Sequence, residues 1–81
     1  MKIDVLYFQV LKLKAGTARE TLDVAAGTTV AGALDAVESL HPELLPLRAS
    51  LLAAVNQEWA PPETVLREGD VLALMPPVSG G

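Results

Sequence analysis

The pair Gly80-Gly81 is where this sequence offers chemistry. A carboxylate on Gly81 is a poor electrophile, because the group that must leave is oxide. Adenylation by ATP turns it into a mixed anhydride that a sulfur donor can attack, and the product is a thiocarboxylate. The six residues Pro76-Pro77-Val78-Ser79-Gly80-Gly81 reach roughly 20 Å when extended. Two prolines stiffen the root of this segment, and two glycines without a Cβ narrow its tip. That shape suits a strap threaded into another protein's active site. Gly81 is therefore expected to be the sulfur attachment point, with Pro76, Pro77, Val78, Ser79 and Gly80 as the threading tail. Two adjacent glycines at a fixed place arise by chance in roughly one chain in 200, so the dipeptide needs support from the rest of the sequence.

Little else in the chain is equipped for catalysis. There is no cysteine, which excludes a disulfide framework and a thiolate metal site, so any sulfur must be borrowed. His41 is the one histidine, has no carboxylate or cysteine at ligand spacing, and precedes Pro42, which suits a helix end better than a metal. Glu58, Glu63, Glu68 and Asp70 read as turn and solubility residues. Ser79 lacks a base partner and reads as a small polar tail residue rather than a nucleophile. No catalytic residue, metal ligand or bound cofactor is expected in this chain, with ATP used by a separate activating enzyme. The net charge of −4, with Lys and Arg scattered, argues against a nucleic-acid partner. Met1-Lys2-Ile3-Asp4 opens no signal-peptide core and no apolar run reaches spanning length, so the expected compartment is the cytosol, without a membrane partner.

The elements that must hold the tail follow from periodicity. Eighty-one residues make one domain, which buries only roughly 60 to 65% of its unfolded surface and leaves no room for an enclosed active site. The composition is 51% hydrophobic with only three aromatics, so the core must be aliphatic. Ile3, Val5, Tyr7, Leu11 and Leu13 recur at odd positions, which predicts one long strand over 2–13. The even side begins polar at Lys2 and Asp4 and turns apolar at Leu6, Phe8 and Val10, which a one-sided sheet does not need. Arg19 to Val24 alternates as well and is expected to close a hairpin with the first strand. Thr28-Thr29 supplies a capping hydroxyl, and Val30, Ala33, Leu34, Val37 and Leu40 follow at helical spacing up to Pro42. Glu43 to Ala49 reads as a connector and Ser50 to Val55 as a buried central strand. Asn56-Gln57 turns into a short stretch at Glu58-Trp59, and Glu68-Gly69-Asp70 turns into a last strand, Val71 to Met75, which Pro76 ends. The order β-β-α-β-(β)-β predicts an α+β fold of the β-grasp, ubiquitin-like kind: a mixed sheet on one main helix over 1–75, with an extended C-terminal tail over 76–81.

The sequence also resembles the small, sulfur-carrier subunit of molybdopterin synthase (the MoaD family). The resemblance spans essentially the whole chain. It is carried by Val5-Leu6-Tyr7-Phe8, by Leu51-Leu52-Ala53-Ala54-Val55-Asn56-Gln57, and by Gly69-Asp70-Val71 leading to the Pro76 to Gly81 tail. The Pro-Pro-Val-Ser lead is its specific part, since thiamin sulfur carriers share only the final glycines. The resemblance implies a cycle in which an E1-like enzyme adenylates Gly81 and a persulfide source converts it to the thiocarboxylate. The carrier then docks in the large synthase subunit, where sulfur passes to cyclic pyranopterin monophosphate to build the dithiolene. It implies that the catalytic groups sit in the large subunit, in a heterotetramer, and that this chain is a reactant. It further implies that Phe8, Trp59 and Met75 face the large subunit and that Lys12 matches a basic position near it. The family's Phe-Ala-Gln run is Phe8-Gln9-Val10 here. Phe8 fits that role from parity too, lying opposite Ile3, Val5 and Tyr7. Ordering six tail residues costs on the order of 6 to 12 kcal/mol, and each buried aromatic offsets roughly 4 to 6 kcal/mol. Carriers for thiamin or cysteine biosynthesis, and protein modifiers joined through isopeptide bonds, share the fold and the terminus and stand as alternatives.

Overall fold

The computed structural model describes residues 1–77. The first strand, β1 (Lys2–Tyr7), alternates as expected, with Ile3, Val5 and Tyr7 buried. It stops earlier than the sequence suggests. Gln9 has φ 56° and ψ −129°, and the chain turns there into a short helix, α1 (Val10–Ala15). The apolar alternation at Leu11 and Leu13 is thus not a strand's. Leu11 enters the core from the helix, whereas Leu13 is 80% exposed, although a strand would have set both on one face. The signal for this helix lay at its end: Lys12 and Lys14 in the last turn, and Gly16 in the left-handed conformation, donating its N–H to the Lys12 carbonyl at 3.0 Å. Strand β2 (Arg19–Asp23) then pairs antiparallel with β1, so the expected pairing holds but spans a helix instead of a tight hairpin turn.

The main helix, α2 (Val30–Leu40), buries Val30, Ala33, Leu34 and Val37. The Thr29 hydroxyl accepts from the Gly32 amide at 3.2 Å, and His41 closes the C-terminal end by donating its backbone N–H to the Val37 carbonyl. The expected connector after Pro42 is instead a 3₁₀ helix, Pro42–Ser50, which buries Leu44. Pro46 lies inside it, and Arg48 ties it to α2 through Asp35 (2.7 Å), Glu38 (2.8 Å) and the Ala31 carbonyl (3.3 Å).

Strands β3 (Leu52–Val55), β4 (Glu58–Trp59) and β5 (Val71–Met75) complete a five-stranded sheet in the order β2-β1-β5-β3-β4. Here β3 is next to the edge and mostly half-buried, not the central strand expected. The centre belongs to β5, which runs parallel to β1 and antiparallel to β3. Asn56 and Gln57, both at positive φ, make the two-residue turn between β3 and β4, the twist that suits a hairpin.

The core lies between α2 and the inner face of the sheet, where Leu72 and Leu74 of β5 join Val5 and Tyr7 of β1 in register. Leu74→Ala, at a fully buried position, is expected to cost about 2–5 kcal/mol in urea unfolding. Its neighbour Met75, on the other face, should cost no more than about 1 kcal/mol as Met75→Ala.

Candidate functional site

Strand parity decides what the outer face presents. With Ile3, Val5, Tyr7, Leu72 and Leu74 turned inward, their neighbours Leu6, Phe8, Ala73 and Met75 must turn outward. Register then aligns these side chains across strands. Leu6 sits opposite Ala73, Ala73 opposite Ala54, and Ala54 opposite Trp59, a row that crosses β1, β5, β3 and β4. One step along, Met75 sits opposite Leu52, and the Phe8 amide donates to the Leu74 carbonyl at 3.2 Å, so Phe8 continues the ladder beyond β1. The result is a hollow of about 560 Å³ walled by Phe8, Trp59 and Met75, with Leu6, Ala54, Val71 and Ala73 beneath. Phe8 is 42% and Trp59 67% exposed, although both are large and apolar.

This apolar ground covers only part of the face. Toward β2 it gives way to a polar lattice in which Asp4 accepts from Arg19 and, at 2.9 Å, from the Thr21 hydroxyl. The Arg19 hydrogen bond, with help from Thr21, holds the Asp4 carboxyl below its usual range. At the far end Asn56 donates to Asp70 at 2.9 Å and accepts from the Val71 amide at 3.0 Å, which fixes the turn beside the hollow. Among the described residues no ionisable side chain lines the hollow itself.

Phe8, Trp59 and Met75, far apart in sequence, are thus brought to one place. Lys12 is on α1, not on the first strand, and lines an adjoining hollow with Phe8, Gln9 and Arg19. Gln9 is held in a backbone region that side chains avoid, at a cost of about 1–3 kcal/mol, and this bend sets Phe8 and α1 side by side. Val10, expected beside Phe8 on a strand, is likewise on α1. Half-buried Pro76 and exposed Pro77 share a further hollow with Trp59, Met75 and Val10, so the root of the tail begins at the end of the apolar face. Val78, Ser79, Gly80 and Gly81 lie outside the described residues. Leu52, Ala54 and Val71 figure in the sequence only within the segments that carry the family resemblance, and neither they nor Ala73 were expected to line this face. Their signal, small or apolar residues at alternate positions in two strands, becomes readable only once register is known.

On the inner side, His41 has the carboxylate partner that sequence spacing did not disclose. Its Nε2 lies 2.6 Å from Glu20 Oε1, the Tyr7 hydroxyl donates to the same oxygen, and the Tyr7 and His41 rings meet edge to face at 5.6 Å. One carboxylate thereby satisfies two side chains that enter from different elements, at the end of α2 where a structural role was expected. Among the described residues no group of three or more His, Cys, Asp or Glu could hold a metal ion, and no helix is long and apolar enough to cross a membrane.

A mixed five-stranded sheet packed on one main helix, with β1 and β5 parallel at its centre, defines a β-grasp, ubiquitin-like domain. Residues 5–81 match the ThiS family. The molybdopterin synthase sulfur carrier subunit of Mycobacterium tuberculosis is 38% identical, covering 100% of this chain and 99% of that one. The crystal structure of SAMP1 from Haloferax volcanii superposes with a TM-score of 0.90 at 32% identity, covering 100% of both chains. The fold is shared as well by a chain in the complex of subunits 1 and 2 of molybdopterin-converting factor from Helicobacter pylori, with TM-score 0.72, 24% identity and 100% of both chains covered. The chain belongs to the ThiS family and, within it, to the molybdopterin synthase sulfur carrier subunits.

Burial, followed by the hydrogen bond to Glu20, pushes the Tyr7 phenol well above its ordinary value of 10.0. A raised folded value means the unfolded chain loses this proton first as pH rises. The stabilisation is therefore complete below pH 10 and is lost above it. Thermal unfolding should show a falling melting temperature above about pH 10, and Tyr7→Phe should flatten that alkaline limb. Because Tyr7 is the one tyrosine, phenolate absorbance should appear only as the fold opens.

Proposed function

We propose that this chain is the sulfur carrier of a molybdopterin synthase, itself without catalytic groups, and that it delivers sulfur as a thiocarboxylate on Gly81. In this reading an E1-like enzyme joins the carboxylate to AMP from ATP, releasing pyrophosphate. The terminal sulfur of a donor persulfide then displaces AMP to form an acyl disulfide, and a second thiol attacks the donor's own sulfur, forming a disulfide with it and releasing the thiocarboxylate. The carrier docks its outer face on the large synthase subunit, and the tail reaches that subunit's site, where sulfur passes to cyclic pyranopterin monophosphate. The observation that carries the proposal is the continuity of the apolar outer face with the root of the Pro76-Pro77 tail. A partner that grips Phe8, Trp59 and Met75 is thereby positioned to receive the residues that follow. Lys12 beside Phe8 adds a positive charge to the rim, suited to an acidic group on the partner.

Support comes from the family, from the name of the Mycobacterium tuberculosis relative, and from the two-subunit complex in which the Helicobacter pylori chain of this fold is found. The likeness to SAMP1, a small archaeal modifier protein, favours one second reading, a modifier joined to other proteins through the same terminus. The two readings share activation and differ in the acceptor.

Intact-mass spectrometry of the chain incubated with its activating enzyme, ATP and a sulfur source should show exchange of one oxygen for sulfur. One residue added after Gly81 should abolish that exchange while leaving affinity for the large subunit within a few-fold. Continued sulfur loading of the extended chain would overturn the role of Gly81, and isopeptide conjugates to other proteins in place of thiocarboxylate would favour the modifier.

Phe8→Asp and Met75→Asp should each weaken binding to the large subunit at least tenfold, since a charge would have to be buried without a partner. Lys12→Glu should mainly slow association, and the effect should shrink as salt is raised. Calorimetry for affinity and stopped-flow fluorescence of Trp59, the one tryptophan, for rate would read both.

A further inference from the structure

The walls of the outer hollow are large, but its floor is small. Ala54 of β3 and Ala73 of β5 stand opposite each other in register, between Leu6 on one side and Trp59 on the other. Ala54 is only 5% exposed yet belongs to the outer face, apart from the main core cluster. Two alanines in register, surrounded by Phe8, Trp59 and Met75, make a depression where a continuous row of large side chains would have made a flat or convex surface.

Three kinds of occupant compete for such a depression. The chain's own last four residues, Val78-Ser79-Gly80-Gly81, carry one apolar side chain larger than methyl and none that is aromatic or long. A second copy placed by two-fold symmetry would lay this patch on itself. Where the axis passes through the hollow, hollow faces hollow and leaves a void, and voids forfeit the contacts that drive association. A charged occupant finds no ionisable side chain among the described residues of the lining; the Asn56 amide is already committed to Asp70 and Val71, and exposed Gln57 in the β3–β4 turn is the other amide there. A protruding, uncharged side chain from a different protein meets none of these objections.

We propose that Ala54 and Ala73 form a socket for one large apolar side chain, aromatic or long aliphatic, that projects from the large synthase subunit, and that their small size determines which partner fits. This rests on the docking reading above and adds to it the shape of the partner's contact. Phe8, Trp59 and Met75 grip the inserted side chain from around its rim, while the alanines set how deep it goes.

The test fills the socket without touching its rim. Ala73→Leu and Ala54→Leu are made in the full-length chain, because the added atoms project into the hollow and not into the core. Ala73→Val serves as the milder variant should either fail to fold. Calorimetric titration with the large subunit from the same organism should show each leucine variant binding at least tenfold more weakly, with Ala73→Val intermediate. Truncating one exposed apolar residue of the large subunit to alanine should restore binding to Ala73→Leu. The companion variant Phe8→Asp separates the two levels of inference. If Phe8→Asp loses binding while the folded filled-socket variants stay within twofold of the parent, the socket is overturned and the docking face stands. If Phe8→Asp also binds like the parent, both are overturned. A loss in Ala73→Leu that no partner truncation relieves overturns the socket as well.

Discussion

The parallel pairing of β1 with β5 joins the two ends of the chain, and both faces of the sheet depend on its register. With Val5 opposite Leu72 and Tyr7 opposite Leu74, every large aliphatic of β5 points toward α2, and Ala73 and Met75 point away. A slip of one residue would exchange the two sets, exposing Leu72 and Leu74 and burying the alanine. The same pairing places Phe8, at the end of β1, beside the end of β5. Pro76 therefore leaves the sheet beside exposed Trp59 and half-buried Met75, so the apolar outer face continues into the start of the segment that follows β5.

Around this central pair the polar groups are used to close the fold. Glu20 holds Tyr7 from β1 and His41 from the end of α2, while Arg48 holds the 3₁₀ segment against α2. Asn56 and Asp70 pin the turn between β3 and β4 to the start of β5. Each arrangement joins elements distant in sequence; the first two lie away from the hollow, and the Asn56 network stands at its edge. Among the described residues the outer face is therefore apolar in its middle, with Asp4 and Arg19 toward one border. That division lets a partner gain affinity from buried area and orientation from the rim.

Where local pattern and tertiary packing agree, the elements follow from sequence. The α2 helix is bounded by Thr29 and Pro42 because capping and proline act within a few residues. Strand β5 is bounded by the Gly69 turn and by Pro76 for the same reason. The first strand shows the limit. Its alternation continues numerically through Leu11 and Leu13, but the chain bends at Gln9, and the alternation cannot tell a strand from a short helix that buries one leucine and exposes the next. Likewise Ser50 to Val55 is apolar enough for a central strand, but order in a sheet is set by which partners lie on each side, and β5 takes the centre because it alone pairs with both β1 and β3.

The sequence by itself determined the class of the protein. A cysteine-free, acidic chain with one main helix and Pro-Pro-Val-Ser-Gly-Gly after its last strand offers no thiol of its own and few residues of catalytic type. Those conclusions need only residue types and near neighbours. The sequence also showed that Leu6 and Phe8 were apolar where a one-sided sheet has no use for them. What covers that face, and with what shape, was decided by tertiary structure. Ala54, Ala73 and Trp59 come from three strands, and their meeting as floor and wall depends on strand register, which is a property of pairing over long separations. His41 and Glu20 tell the same story, being 21 residues apart in sequence and 2.6 Å apart in the fold.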